Sequence, residues 1–435
     1  MSAIGPVKWL DGKDNRPAVS RFPGAGEQTP CPAPPGGAKG APAMLTNLQQ
    51  QPADALLALI KLHNADPRGD KIDLGVGVYR TGQGDTPVFG AVKAAEKKLA
   101  AEQESKAYLG PEGDMAFVEA LMPYVFGKAD PTLGGRIEGM QTPGGTGSLR
   151  LALAMVRKAN VARVWMGSPT WPNHPQICAD LGLEYKTFNH ATPEGTADMD
   201  GLRSAIAAAD EGDAILLHGC CHNPTGIDYS NEQWDEIAGL VAGKKLLPVL
   251  DLAYQGLGEG MEEDAYGVRR VIVAVPEALV AYSCDKNFGL YRDRTGALYM
   301  MTAEASQLPP VISNAYALAR ANWSQPPDHG AAAARLVLED EALTAQWLDE
   351  LDTMRERIRQ MRAVLGAAGK TGGVDLSPIG GQNGLFSMIP FTPEQVQAMR
   401  DKHGVYFAGS GRINVAGLTS ANIEQFIAAV ADVTG

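Results

Sequence analysis

Short apolar runs alternate with longer segments of helical period through most of the chain. Strand-like runs lie near 162–167, 183–188, 213–218, 246–250, 278–282 and 297–302. Helical stretches lie between and before them, near 53–65, 90–102, 115–126, 145–158, 173–182, 199–209, 231–243 and 264–274. Buried strands interleaved with helices predict an α/β fold with a mostly parallel sheet covered on both faces. After residue 303 the pattern is largely helical. Leu343, Trp347, Leu351, Met354, Ile358, Met361 and Leu365 step by three or four and form one stripe. The stripe predicts a helix of about 25 residues, long enough at roughly 1.5 Å per residue to bridge two domains. A strand near 384–389 and helices near 393–403 and 420–433 predict a smaller α+β region at the end.

The first 43 residues break this pattern. They are rich in Pro, Gly and Ala, with Pro-Ala-Pro-Pro-Gly-Gly at 32–37, and predict a disordered extension. The expected division is therefore 1–43 as extension, 44–86 as an arm and part of a small domain, 87–353 as a large domain and 354–435 as the rest of the small one. The net charge of -12 argues against electrostatic binding of nucleic acid or an anionic membrane surface. No apolar run approaches the roughly 18 to 20 residues of a membrane span. The five cysteines are few, and Cys220 and Cys221 are adjacent, which suits neither a disulfide framework nor a zinc site. They read as reduced residues of a cytoplasmic protein.

The candidate chemistry sits where the strands end. The run Ala278–Tyr282 delivers Ser283 and Lys286 to its carboxyl end, and Arg294 follows. A partly desolvated lysine is a candidate Schiff-base nucleophile, and a hydroxyl and an arginine suit a phosphate monoester. Together they suggest pyridoxal phosphate; a surface Lys and Arg after an ordinary strand is the alternative. Asp251 ends another buried strand and needs a cationic partner, which a protonated pyridine nitrogen would be. A structural arginine or backbone N–H would also serve. Tyr254, three residues on, could donate to a ring oxygen. Gly144 to Gly147 and Thr146 open a helix where N–H groups face an anion, or simply make a tight turn. Asn223 precedes Pro224 and can point into the crevice at a strand end. Trp171 offers a face for stacking or a core position. Arg320 and Arg412 could each clamp a carboxylate. His218 and His222 could suggest a metal, but no carboxylate or cysteine completes a convincing set, so no metal is expected.

The motifs Leu74-Gly-Val-Gly-Val-Tyr79, Thr142-Pro-Gly-Gly-Thr-Gly147, Thr170-Trp-Pro-Asn-His174, His218-Gly-Cys-Cys-His-Asn-Pro-Thr-Gly226, Asp251-Leu-Ala-Tyr-Gln-Gly256, Lys286-Asn-Phe-Gly-Leu-Tyr291 and Gly411-Arg-Ile-Asn-Val-Ala-Gly417 occur in order from about 45 to 435. The chain resembles the class I pyridoxal-phosphate-dependent aminotransferases, in the aspartate and aromatic amino acid branch. The resemblance implies fold type I, with a seven-stranded sheet, and a homodimer with shared active sites. It implies transfer of the amino group of L-aspartate or an aromatic L-amino acid to 2-oxoglutarate by a ping-pong route through a pyridoxamine form. Lys286 would form the internal aldimine and shuttle the proton. Asp251, with His174 behind it, would pair with the ring nitrogen, and Asn223 and Tyr254 with the ring oxygen. Trp171 would stack on the ring. Gly145, Thr146, Ser283 and Arg294 would hold the phosphate, joined by Tyr108 from the partner. Arg412 would bind the substrate α-carboxylate, with Gly77, Trp171 and Asn223 close by, and Arg320 the partner's substrate side-chain carboxylate. Asp285, Thr295 and Trp323 depart from the family's usual residues. Asp285 would favour a protonated aldimine if it points inward. A lyase or decarboxylase of the same fold, or a non-catalytic cofactor-binding protein, are the other classes; retention of Lys286, Asp251 and the arginine pair favours transamination.

Overall fold

A computed structural model describes residues 45, 48–50, 55–127 and 134–435. The chain divides into Met1–Pro52 and Ala53–Gly435. In the first unit the Leu48 N–H donates to Leu45 O at 3.1 Å; the extension expected over 1–43 lies outside the described residues.

The second unit opens with α1 (Ala55–Ala65), the two-residue strand β1 (Ile72–Asp73), α2 (Gly90–Glu102) and α3 (Met115–Phe126). An alternating series follows: β2 (Ile137–Pro143), α4 (Gly144–Lys158), β3 (Arg163–Ser168), α5 (Asn173–Leu181), β4 (Glu184–Asn189), α6 (Met199–Ala208), β5 (Ala214–His218), α7 (Asn231–Lys244), β6 (Leu247–Leu252), α8 (Tyr266–Ala274), β7 (Ala278–Ser283) and β8 (Thr295–Met301). Then come α9 (Leu308–Asn322), α10 (His329–Glu339) and α11 (Glu341–Ala367). The chain closes with β9 (Lys370–Thr371), β10 (Val374–Asp375), β11 (Phe386–Met388), α12 (Pro393–His403), β12 (Val405–Tyr406), β13 (Arg412–Asn414) and α13 (Ile423–Thr434).

Seven strands form one sheet in the order β2-β8-β7-β6-β5-β3-β4. Neighbours from β7 through β4 are parallel. β8 runs antiparallel to both β7 and β2. The inner strands are apolar on both faces because each face carries its own core. Along β7, Ala278, Val280 and Tyr282 enter one cluster and Leu279 and Ala281 the other. β5 and β8 alternate the same way, the period of two that a pleated strand imposes. Helices α2, α3, α6, α7, α8, α10 and α11 cover the first face; α4, α5 and α9 cover the second. The expected α/β sheet between helices is thus present, with one strand, β2, that the apolar pattern did not signal. Its sequence, IEGMQTP, is polar. The buried Gln141 is satisfied from outside the strand: it accepts from Asp114 N–H at 2.7 Å and donates to Pro327 O at 2.6 Å. Such partners are invisible to a periodicity argument.

A third core gathers Ile72 and Leu74 with Met361, Leu365, Val405, Phe407, Ile413 and Phe426. Here β1 pairs parallel with β12, and β11 antiparallel with β13. Segments from before and after the large sheet therefore fold together. The apolar stripe lies on α11, 27 residues long and capped by Asp340 Oδ1, which accepts from the Ala342 and Leu343 N–H groups at 3.0 and 3.1 Å. Trp347, Leu351, Met354 and Ile358 face the first core, and Met361 and Leu365 the third. One helix of about 40 Å ties the two.

Candidate active site

The parallel strands β3, β5, β6 and β7 point their carboxyl ends at one crevice, the usual ligand position in open α/β sheets. A cavity of about 240 Å³ opens there. Gly77, Gly145, Thr146, Trp171, Asn223, Asp251, Tyr254, Ser283, Lys286 and Arg294 all line it, together with Leu149, His218, Ala253, Asp285 and Tyr291. Ten sites expected from sequence are thereby brought into one space.

Asp251 is on the floor. It is buried, and its Oδ2 lies 3.1 Å from His174 Nε2, while Thr170 Oγ1 lies 2.8 Å from His174 Nδ1. Burial by itself would raise the carboxyl; the His174 hydrogen bond and charge, with His218 and Lys286, carry it below its ordinary value. Within the chain, the side chain that meets Asp251 is thus a histidine ring and not an arginine. His218 sits beside Asp251 across the β5–β6 register. A ligand atom from each of His174, His218 and Asp251 falls within 4.8 Å of the others, a grouping with room for a cation. The register thus places beside His218 a carboxylate 33 residues away in sequence. Burial holds His218 down to about 3 and His190 to about 4, so both rings are neutral.

Lys286 lies on the floor just beyond the end of β7, with Nζ 5.1 Å from the Tyr254 ring centroid. Desolvation lowers its ammonium, against the charges of Asp285 and Asp251. Burial raises the Tyr254 phenol, which therefore stays protonated. Tyr254 Oη accepts from Asn223 Nδ2 at 3.5 Å, and Asn223 Oδ1 accepts from Arg412 Nη1 at 3.4 Å. These three side chains form one line from floor to rim.

The opposite end is a cup. Gly144 and Gly145 start α4, and a Cβ on Gly145 would lie 2.9 Å from Ser283 Cβ. Only glycine lets that turn reach Ser283, so the N–H groups, Ser283 and Thr146 converge. Arg294 takes a left-handed φ of 56° and turns its guanidinium toward the same turn. Asp285 does not sit free beside Lys286: its Oδ2 forms an ion pair with Arg294 Nη1. Asp285 is buried, and burial raises its carboxyl against the charges of Lys286 and Arg294.

Three expected residues lie outside this cavity. Arg412 lines the adjoining cleft of about 1050 Å³ with Trp171, and donates to Gly75 O at 3.1 Å. Tyr108 is 92% exposed and lines a separate cavity with Arg335. Arg320 is exposed at the end of α9 and bonds Ser324 Oγ. Sequence reasoning missed two supports. Phe386 packs under Arg412, ring centroid to Cζ 4.3 Å, and a Cβ on Gly77 would lie 2.7 Å from its ring. Arg362 is buried and donates to the carbonyls of Asn383, Gly384 and Phe386 at 2.7 to 3.2 Å, fixing that ring. The one available signal was an arginine beside Met361 of the apolar stripe.

The model of the family described as aminotransferase class I and II matches residues 69–430. A tyrosine aminotransferase of Rhizobium meliloti is 47% identical over 383 residues, covering 88% of this chain and 98% of that protein. An aspartate aminotransferase of Escherichia coli is 42% identical, covering 89% and 99%. The solved structure of an aromatic-amino-acid aminotransferase from Burkholderia pseudomallei, covalently bound to pyridoxal phosphate, superposes with a TM-score of 0.87 at 35% identity, covering 90% of this chain and all of that one. With this extent of match, the chain belongs to the class I and II aminotransferases and is an enzyme of amino-group transfer.

Proposed function

We propose that the chain moves the amino group of L-aspartate or an aromatic L-amino acid to 2-oxoglutarate with pyridoxal phosphate as its cofactor. The observation that carries this reading is the convergence, in one cavity at the strand ends, of a lysine, an ionised carboxylate and a glycine-lined cup. The residues fit the cofactor on three counts. The cup presents N–H groups, two hydroxyls and a guanidinium to a phosphate. Asp251 is an anion held below its ordinary range for a ring nitrogen. Lys286 is a desolvated amine.

When bound, the cofactor supplies an aldehyde for an amine and a ring that accepts the electron pair of the substrate α-carbon. Lys286 Nζ takes the proton from that carbon and returns it, with desolvation easing the loss of its own proton. Asp251, backed by His174, stays ionised and holds positive charge at the ring nitrogen. Tyr254 and Asn223 would hold the ring oxygen, and Trp171 would offer its face to the ring. Arg412, with Asn223 beside it, binds the α-carboxylate, and Phe386 keeps its guanidinium in place. Two carboxylate-binding arginines suit both an acidic donor and a dicarboxylate acceptor, which favours transamination.

Tyr108 and Arg320 act in this reading on the active site of a partner copy. Their exposure, and their absence from the lining of their own chain's cavity, support that arrangement. A third core distinct from the first two supports the proposed large and small domains, divided near 86 and 353, with Met354 and Ile358 just past the boundary still facing the first core. The four described cysteines are free, which supports a reducing, cytoplasmic location. No described helix is long and apolar enough to cross a membrane.

The test is a spectrum of the holoenzyme mixed with L-aspartate and, separately, L-tyrosine. Conversion of the cofactor band to the amine form, reversed by 2-oxoglutarate, is expected with both. Release of carbon dioxide without the amine form would replace this reading with a decarboxylase.

A further inference from the structure

The cup contains a charge that its proposed work does not explain. Asp285 lines the cavity beside Lys286, is 4% exposed and pairs with Arg294. The pair lies against the first turn of α4. A Cβ on Gly144 would lie 2.7 Å from Arg294 Nη2 and 3.0 Å from Asp285 Oδ2. That is the turn whose N–H groups make the cup. Arg294 Nη1 also donates to Tyr291 O at 3.1 Å, so one of its two terminal nitrogens is fully engaged within the chain. Asp285 is held in turn by its own N–H, which donates to Ser283 Oγ at 3.3 Å. The carboxylate is thus a built part of the cup and not a surface charge folded inward.

The electrostatic consequence is direct. Arg294 and Asp285 together carry no net charge, and a phosphate dianion entering the cup meets an anion fixed beside its main cationic partner. Asp285 is buried, so that repulsion is screened less than between two surface charges, while the 38% exposure of the Arg294 side chain moderates it. A planar guanidinium also binds an anion best through two parallel N–H bonds, and here one terminal nitrogen is already taken.

We propose that Asp285 is an internal competitor for the phosphate-binding arginine, which weakens the hold of this chain on phosphate monoesters and lets it exchange its cofactor more readily than the same cup with a neutral residue at 285. The inference rests on the reading of the cup given under Proposed function. It concerns cofactor retention, a property separate from the reaction.

The experiment uses full-length protein freed of cofactor and titrated with pyridoxal phosphate, followed by protein fluorescence and by the visible band. Asp285→Ser and Asp285→Asn should each bind about 10- to 100-fold more tightly than the wild type, with most of the gain in a slower dissociation. Inorganic phosphate should raise the melting temperature of the cofactor-free variants more than that of the cofactor-free wild type. Pyridoxal, which lacks the phosphate, should bind wild type and variants within about twofold of each other. Equal or weaker binding of pyridoxal phosphate by both variants overturns the proposal and makes Asp285 a positioning residue for Arg294. Equal tightening for pyridoxal also overturns it, because the effect would then act at Lys286. A wild type that forms no visible band with pyridoxal phosphate would instead remove the reading of the cup itself.

Discussion

The floor of the site and its rim are built in different ways. The floor hangs from strand ends: Asp251 on β6, Ser283 closing β7, Lys286 just beyond it. Each floor group has its partners inside the same chain, His174 for Asp251 and Arg294 for Asp285. The rim is assembled from side chains far apart in sequence. Arg412 is on β13, Arg320 at the end of α9 and Tyr108 on an exposed loop. Backbone pairing across a sheet holds strand ends to within fractions of an ångström, so chemistry that tolerates no drift belongs there. Recognition of varied side chains gains from groups with room around them, and Tyr108 and Arg320 are exposed.

The sharpest break of this contrast is at the floor. Lys286→Ala should lower kcat by at least about 10⁴-fold, since both the covalent attachment and the proton carrier are removed. Cofactor should still bind, through Asp251 and the cup, and single-turnover absorbance will separate the two effects. Turnover near that of the wild type would end the assignment of Lys286.

At the rim the losses should be smaller and should discriminate between substrates. Arg412→Ala should reduce kcat/KM for aspartate and tyrosine alike, by roughly 2–5 kcal/mol, or about 30- to several-thousand-fold. Arg320→Ala should cost aspartate a similar amount but tyrosine less than about tenfold in a half-reaction, because only aspartate has a distal carboxylate. Equal losses for both substrates would remove Arg320 from that role.

Mixing the two kinds of variant sharpens the contrast further. A heterodimer of Arg320→Ala and Lys286→Ala subunits has one site with both defects and one with neither. Aspartate turnover should rise toward about a quarter of the wild-type value, the statistical share of intact sites in a random mixture. No recovery in a mixture shown to contain heterodimers would place Arg320 in its own chain's site or outside it.

The smallest effect concerns the support beneath the floor. His190 is stacked on His222 at 3.5 Å between centroids and donates to Ile227 O at 2.8 Å. Burial keeps it neutral down to about 4, while the unfolded chain takes up the proton near 6.5. The unfolded state then binds more protons between those values, so stability falls as pH drops from about 6.5 to about 4. The slope should be about 1.4 kcal/mol per pH unit for this group. Asp264, which burial pushes up to about 6, acts with the opposite sign, so the readout is the difference from wild type. Melting curves of His190→Gln should show a flatter acid limb; a parallel limb would show that His190 is not the titrating group.

Local order was legible from sequence wherever the signal was itself local. The stripe on α11 is a consequence of a 3.6-residue period meeting two apolar cores, and its seven positions name one face without any coordinates. Lys286, Asp251 and Asn223 were found because a buried strand followed by a polar residue places that residue in a crevice. What the sequence left open was pairing between segments far apart. It named Asp285 as a carboxylate beside the lysine but not the direction in which it points; Arg294, nine residues on, decides that through a left-handed turn. It offered His218 no carboxylate, and the β5–β6 register puts Asp251 beside it. It passed over β2, whose buried Gln141 is satisfied by loops 27 and 186 residues away. The apolar pattern is a sum over single residues and survives without knowledge of neighbours. Hydrogen bonds and ion pairs depend on distance and angle between two groups, and only the folded chain sets those.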